Sequence, residues 1–253
     1  MSSELVFAID KNLGFDADAP VWRSFFSKFN VKVVAYDDME KLTEDMEKHK
    51  ITCSYLPSAN YFYFMSDNYY VPIANALFAA NQTSESSSVL VVSKASLINT
   101  LSELKGKRFG FIHPYCTSSF FAAALLLWKH NFSIHDFFST MRKVGPWQLQ
   151  VDAVIAKEVD ATMVPEDIWY KQPKNTEKTK IIAREKNLPS PIVVCSKNAD
   201  KTFVQELKEL LLSYKPKASP NALFNGFIPY QKDQEEAFFS ESTQAFSSEV
   251  AKV

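Results

Sequence analysis

Short β-branched and aromatic runs alternate with helical patterns along this chain, and that alternation limits the fold more than any other feature. Leu5–Ile9 (LVFAI) reads as a strand, Val21–Phe29 as a helix and Val31–Ala35 (VKVVA) as a second strand. Met39, Leu42 and Met46 recur at helical spacing among charges, so Met39–His49 is read as an amphipathic surface helix. Ile51–Leu56 closes the series as a third strand. A βαβαβ opening predicts a parallel sheet with right-handed crossovers.

A second series follows. Ser88–Ser93 (SVLVVS) is strand-like, Leu101–Lys107 reads as a short helix ending at Gly106, and Arg108–Ile112 (RFGFI) as a strand. Ser118–Lys129 is an oily helix, and Trp147, Val151, Val154 and Ile155 mark one face of another. Ala161–Val164, Lys180–Ala183 and Pro191–Ser196 are strands, and Phe203, Val204, Leu207, Leu210 and Leu211 define an amphipathic helix. Lys171–Lys178 is expected as an exposed loop. The tail after Pro229 is polar, with Phe238, Phe239 and Phe246 spaced for a helix that packs back on the body. The two series, joined near 88–93 and 191–196, predict two lobes: 1–88 plus 195–253, and 89–194.

The 253 residues, 46% of them hydrophobic, suffice for one large domain or two ordinary lobes. A net charge of -1 leaves no basic field to recruit nucleic acid or an anionic membrane. The longest apolar run, Phe120–Trp128, is far short of a membrane span. Five glycines, with neither GxGxxG nor GxxxxGK[ST], argue against a glycine-rich phosphate cradle. Cys53, Cys116 and Cys195 are odd in number and far apart, so neither a disulfide framework nor a zinc site is expected, and a reducing compartment fits. The four histidines show no metal-ligand spacing, so no metal or cofactor is expected. MSSELVFAIDKN carries no basic segment followed by a long apolar core. The expected location is therefore cytoplasmic, or periplasmic if a leader has been removed.

One stretch concentrates chemistry. Pro114–Trp128 (PYCTSSFFAAALLLW) places a thiol and three hydroxyls at the mouth of an almost wholly apolar helix. A helix start leaves unpaired N–H groups and a partial positive charge, which an oxyanion can satisfy. One hydroxyl would suffice as an N-cap; three and a thiol suggest a helix start that faces a ligand.

These residues also carry a resemblance. Leu104–Ile112 (LKGKRFGFI), Pro114, the Cys116-Thr117-Ser118 turn and the helix after it resemble the phosphonate/phosphite-type solute-binding proteins of ABC transporters. Ala153–Val164 (AVIAKEVDATMV), Asn187–Val193 (NLPSPIV) and Phe227–Pro229 (FIP) match that family's order and spacing. The resemblance implies a type II periplasmic-binding-protein-like α/β fold, with a mainly parallel sheet in each lobe and a ligand cleft closed by hinge motion. It places ligand contacts at Cys116, Thr117 and Ser118, at Ser88 of the interlobe strand, and at Glu166, with Asp167 in the next register. Trp147 stands where the family often has a polar, His-bearing helix start, and Ser190 where an acid sometimes precedes the return strand. An aromatic pocket position falls at Asp38. The implied partners are a small anionic ligand (phosphonate, phosphate ester or carboxylate) and an ABC permease. Because Cys116 is a poor donor and the amine-holding end is altered, an ordinary aminoalkylphosphonate is not the expected ligand. A small oxyanion or a flatter ligand stacked on Trp147 is.

Other features have two readings. Tyr55, Tyr61, Phe62, Tyr63, Phe64, Tyr69 and Tyr70 can cage a ligand or pack between sheet and helices. Ser58 is a helix cap or the first lobe's ligand donor. Cys116 with His113 is a candidate nucleophile pair with no evident third residue. Three functions follow: a non-catalytic binding protein, a cytosolic enzyme on the same fold with Glu166 or Cys116 in the chemistry, and a degenerate binding fold serving protein–protein contact.

Overall fold

The computed structural model describes residues 4–64, 69–216 and 223–246. It falls into two compact units, Met1–Ser84 with Ser190–Lys232, and Glu85–Pro189 with Asp233–Val253.

The first unit holds β1 (Leu5–Asp10), α1 (Pro20–Lys28), β2 (Val31–Tyr36), α2 (Met39–Glu47), β3 (Cys53–Leu56), α3 (Ser58–Phe64) and β4 (Tyr70–Phe78). The chain leaves this unit and returns as β10 (Ile192–Ser196), α9 (Lys201–Ser213) and β11 (Phe224–Pro229). The six strands lie in the order β11-β4-β10-β3-β1-β2. β1 is parallel to β2 and β3, while the β3–β10, β10–β4 and β4–β11 pairs are antiparallel. β3 and β10 are buried at every residue, as central strands are. β2 alternates partly buried and exposed residues, as expected of an edge. Pro20 starts α1, where its missing N–H costs no helical hydrogen bond. Trp22, Phe25 and Phe26 on that helix are buried. Asp38 caps α2 by accepting from the Glu40 and Lys41 amides.

Cys53 and Cys195 are joined in a disulfide, contrary to the expectation of free thiols. The physical reason is register. Antiparallel pairing of β10 with β3 sets Cys195 directly opposite Cys53, with Cα atoms 4.1 Å apart. The 142-residue sequence separation conceals that contact. Cys116 alone remains a free thiol, and it is buried.

The second unit holds β5 (Glu85–Ser93), β6 (Arg108–Phe111), α4 (Ala122–Lys129), α5 (Ile134–Phe137), β7 (Thr140–Lys143), α6 (Trp147–Ile155), β8 (Ala161–Pro165), α7 (Glu166–Lys171), α8 (Pro173–Lys178) and β9 (Thr179–Pro189). α10 (Lys232–Phe246) completes it. The strand order is β7-β6-β8-β5-β9. β6 is parallel to β7 and β8; β5 is antiparallel to β8 and β9. Gly110 on β6 is required by packing, because a Cβ there would lie 3.0 Å from Val144 and 3.1 Å from Val159.

Both sheets are mixed, where the sequence suggests mainly parallel ones. The strands entering and leaving each unit, β4, β5, β9 and β10, all pair antiparallel. The unit boundaries also lie earlier than 88/89 and 194/195, since β5 and β9 pair along nearly their whole length and belong to one sheet. The tail helix, expected with the first lobe, packs Phe238 and Phe239 on Phe121 of the second, with ring centroids 5.8 and 5.6 Å away. Residues 173–178 form a helix opened by Pro173, with Asn175 buried, in place of the expected loop. Leu101–Lys107 contributes only a short 3-10 turn, Ser102–Leu104. Of the aromatic cluster, Tyr55 and Tyr70 are core residues, and the Tyr70 hydroxyl lies 3.1 and 2.9 Å from the Met46 and Ile51 carbonyl oxygens. The side chains of Tyr63, Phe64 and Phe246, and residues 247–253, lie outside those described. Among the described residues no helix is long and apolar enough to cross a membrane, and no group of three or more His, Cys, Asp or Glu side chains is placed to hold a metal.

Candidate functional site

In the second unit β7, β6 and β8 are parallel neighbours, so their carboxyl ends share one edge of the sheet. Ligands of open α/β sheets bind outside such ends. After β6 the chain turns into a helix at Thr117, after β7 at Trp147 and after β8 at Glu166. Ser88 lies opposite Pro165, the last residue of β8. The fold therefore brings Cys116, Thr117, Ser118, Ser88, Trp147 and Glu166 to one edge of one sheet.

The helix after β6 does not open as an ordinary α-turn. Cys116 is extended, and Thr117–Phe121 forms a π-turn before α4 begins. The Phe121 amide donates to the Cys116 carbonyl at 3.2 Å, which widens the first turn. The Ser88 hydroxyl donates to the Ser118 carbonyl at 2.8 Å and so pins the turn to β5. Ser119 is fully buried, and its hydroxyl donates inward to Gln150 at 3.0 Å. Thr117 is buried. Ser118 is the partly exposed hydroxyl of the turn, 3.7 Å from the Cys116 sulfur. The hydroxyl-rich mouth thus divides: Ser88 and Ser119 shape the turn, and Ser118 presents itself at the edge.

Trp147 is half-buried against the Val89, Val91, Val151, Val164 and Trp169 cluster, and its indole nitrogen is buried with no hydrogen-bond partner. Glu166 accepts a 3.0 Å hydrogen bond from Arg184 Nε, within an ion pair. That bond holds the Arg184 guanidinium more firmly protonated than usual. Asp167 has its carboxyl pushed up by burial, and further by the Glu166 charge. The edge therefore carries two carboxylates: Glu166, already paired with a cation, and Asp167, whose charge is disfavoured by burial and by the neighbouring Glu166.

The other two expected contacts lie in the first unit. Ser58 and Ser190 are fully buried, and the Ser58 hydroxyl donates to the Ser190 carbonyl. Asn75 Nδ2 lies 3.4 Å from the Ser190 hydroxyl, and Asn75 Oδ1 accepts from the Gln231 amide at 2.8 Å. Both serines thus serve a buried network that ties β10, β4 and α3 together. Asp10 ends β1 and caps the next turn, accepting from the Asn12 amide at 2.9 Å. Burial pushes its carboxyl up, against those hydrogen bonds.

Sequence reasoning missed Arg184 and Gln150. The signal for Gln150 was present: it sits three residues after Trp147 and four before Val154, on the apolar face of α6. A polar residue there must find partners inside.

The family described as the periplasmic substrate-binding protein of phosphonate ABC transporters matches residues 27–235. No curated protein matches the sequence. Among solved structures, a binding protein component of an ABC phosphonate transporter from Pseudomonas aeruginosa is similar, with TM-score 0.77, 17% identity, and 98% of this chain and 88% of that one covered. PhnD1 from Prochlorococcus marinus in complex with methylphosphonate has TM-score 0.76 and 16% identity, over 96% of this chain and 98% of that one. The alkanesulfonate-binding protein SsuA from Xanthomonas axonopodis pv. citri, bound to MOPS, has TM-score 0.65 and 16% identity, over 96% and 93%. At these identities the three support the fold: a two-lobed α/β periplasmic-binding-protein architecture.

Proposed function

This chain belongs to the periplasmic substrate-binding proteins of phosphonate ABC transporters, and from that membership we propose that it captures a small oxyanion lacking a cationic tail and delivers it to an ABC permease. The observation that carries the reading is the helix start at 116–119. Its π-turn, pinned by Ser88 and presenting Ser118, sits at the carboxyl edge of the parallel strands. Amides at a helix start and a flanking hydroxyl hold a phosphonate, phosphate ester, carboxylate or sulfonate without a cationic side chain. Thr117 and Cys116 shape the same pocket wall, and Trp147 offers an indole N–H donor.

Selectivity follows from the charges. A ligand ammonium group needs an uncommitted, charged carboxylate; Glu166 is paired with Arg184, and the charge of Asp167 is disfavoured by burial and by Glu166 beside it. The Ser58 hydroxyl is committed to the Ser190 carbonyl, and the Ser190 hydroxyl to Asn75 and the Pro191 carbonyl. The pairing therefore favours an oxyanion with a short neutral substituent. The Cys53–Cys195 disulfide supports a working location outside the reducing cytosol.

Isothermal titration of the folded protein with methylphosphonate, inorganic phosphate, ethanesulfonate and 2-aminoethylphosphonate tests this. At least one ligand without an ammonium group is expected to bind and raise Tm, and 2-aminoethylphosphonate to bind no tighter than methylphosphonate. Ser118→Ala removes a hydrogen bond to a charged ligand, worth about 1.5 kcal/mol or roughly tenfold in Kd. Four flat titrations would remove the reading.

A further inference from the structure

A buried amide lies behind the helix start. Gln150 is fully buried, as are Ser119 and Thr162. Its Oε1 accepts from the Ser119 hydroxyl at 3.0 Å and from the Thr162 hydroxyl at 2.7 Å. Thr162 shares its one proton with the Gly110 carbonyl, 2.8 Å away. Gln150 Nε2 donates to the Gly145 carbonyl at 3.2 Å. That last contact orients the amide, because the reverse placement would set two oxygens face to face.

The surroundings of this amide are apolar. Val151, Ala153 and Val154 beside it on α6 are all buried, and a hydrocarbon side chain in its place would need no partners. What the amide adds is connection. Ser119 belongs to the π-turn, Gly145 to the turn that leads into Trp147, and Thr162 to the strand that ends before Glu166. One side chain thus holds all three segments that reach the candidate edge.

We propose that Gln150 is the positioning residue of this helix start, fixing the π-turn against the Trp147 turn so that the 117 and 118 amides are held toward one ligand position. The inference rests on the oxyanion-binding reading of that start. Its test separates positioning from mere stability by removing the network as a unit. Gln150→Met leaves the buried Ser119 hydroxyl without its acceptor and the Gly145 carbonyl without the Gln150 donor, while Thr162 keeps the Gly110 carbonyl, and is expected to lower both Tm and methylphosphonate affinity. Gln150→Met with Ser119→Ala and Thr162→Val replaces every side-chain partner by an apolar group and leaves no hydroxyl unpaired, only the Gly145 and Gly110 carbonyls short of one donor each, which costs less than a stranded hydroxyl. That triple variant is expected to regain most of the Tm, yet bind methylphosphonate at least tenfold more weakly and exchange amide hydrogens at 117–122 at least tenfold faster. Wild-type affinity and wild-type exchange in the triple variant would overturn the proposal. If the wild-type protein binds no oxyanion, the binding reading fails on its own and exchange at 117–122 decides for Gln150: faster exchange upholds the positioning role, and unchanged exchange overturns it.

Discussion

The two lobes hold their sheets together by different means. In the first, the central pair β3 and β10 is bonded covalently through Cys53–Cys195, and the surrounding core is aromatic. Phe15 alone has ring centroids of Phe7, Trp22, Tyr55 and Phe227 within 4.9 to 6.2 Å. In the second, aliphatic clusters and rings such as Phe109, Phe121 and Phe137 share the core, the described residues hold no disulfide, and a hydrogen-bonded amide joins the segments at the candidate edge. A covalent tie acts by constraining the unfolded chain. A hydrogen-bond network acts in the native state alone and depends on every member keeping its geometry. The lobe with the candidate anion site is the one built on geometry.

The sharpest way to break that comparison is to cut the covalent tie. Cys53→Ala with Cys195→Ala is expected to cost about 3–5 kcal/mol, given the length of the closed loop. Hydrogen exchange should show the loss in β3 and β10 and leave β6 and β8 unchanged. Equal loosening of both lobes would show that the tie stabilises the chain as a whole. The matching insult to the second lobe is Gly110→Ala. The new methyl meets Val144 and Val159 at 3.0 and 3.1 Å, and overpacking against stiff β-branched side chains costs about 1–3 kcal/mol. Here β6 and β8 should loosen while the disulfide-bonded sheet keeps its protection.

The same contrast explains what could be read from the sequence. The β1-α1-β2-α2-β3 opening and the 147–155 helix were legible because apolar periodicity reports burial directly. β4 was not, because Pro72 and Asn75 interrupt an otherwise apolar run and its place is set by partners more than a hundred residues away. β7 (TMRK) shows no apolar alternation at all. The hydroxyl-rich helix start was legible as a place, but not as a division of labour. Whether Ser88, Ser118 or Ser119 faces inward depends on Gln150 and on the β5 register, which are tertiary facts. The disulfide was hidden for the same reason: register, and not spacing, makes Cys195 the neighbour of Cys53.

A smaller effect separates the lobes by pH. Asp10 in the first lobe is 1% exposed, and burial raises its carboxyl above the ordinary range. A raised acid favours folding fully only below its unfolded pKa, and that contribution is lost as pH rises through the folded value. At neutral pH the native state therefore carries an unfavourable buried charge. Asp10→Asn keeps an oxygen to accept from the Asn12 amide and removes that charge. The variant is expected to be more stable than the parent at pH 7, with the advantage shrinking as pH falls toward the ordinary carboxylate range. Urea melts at pH 4 and pH 7 measure it, and a constant difference between variant and parent would sink the charge explanation.

The smallest change strengthens the second lobe without touching its site. α6 ends in a paired cap, with the Glu158 amide donating to the Ala153 carbonyl at 2.9 Å and the Lys157 amide to the Val154 carbonyl at 3.1 Å. The residue between must be left-handed, and Lys157 stands there at φ 62. Glycine is the usual occupant because it has no Cβ to crowd the carbonyl. Lys157→Gly keeps both amides and the Lys157 carbonyl that accepts from Arg108 at 2.9 Å. Relief of the left-handed strain, less the extra chain entropy of glycine, should gain about 0.5–1 kcal/mol. The gain belongs to the second lobe alone, so slower exchange confined to α6 and β8, with methylphosphonate affinity unchanged, is the expected result. A shift in affinity would mean that the far end of α6 also governs the Trp147 turn, and that the network at Gln150 is not its only constraint.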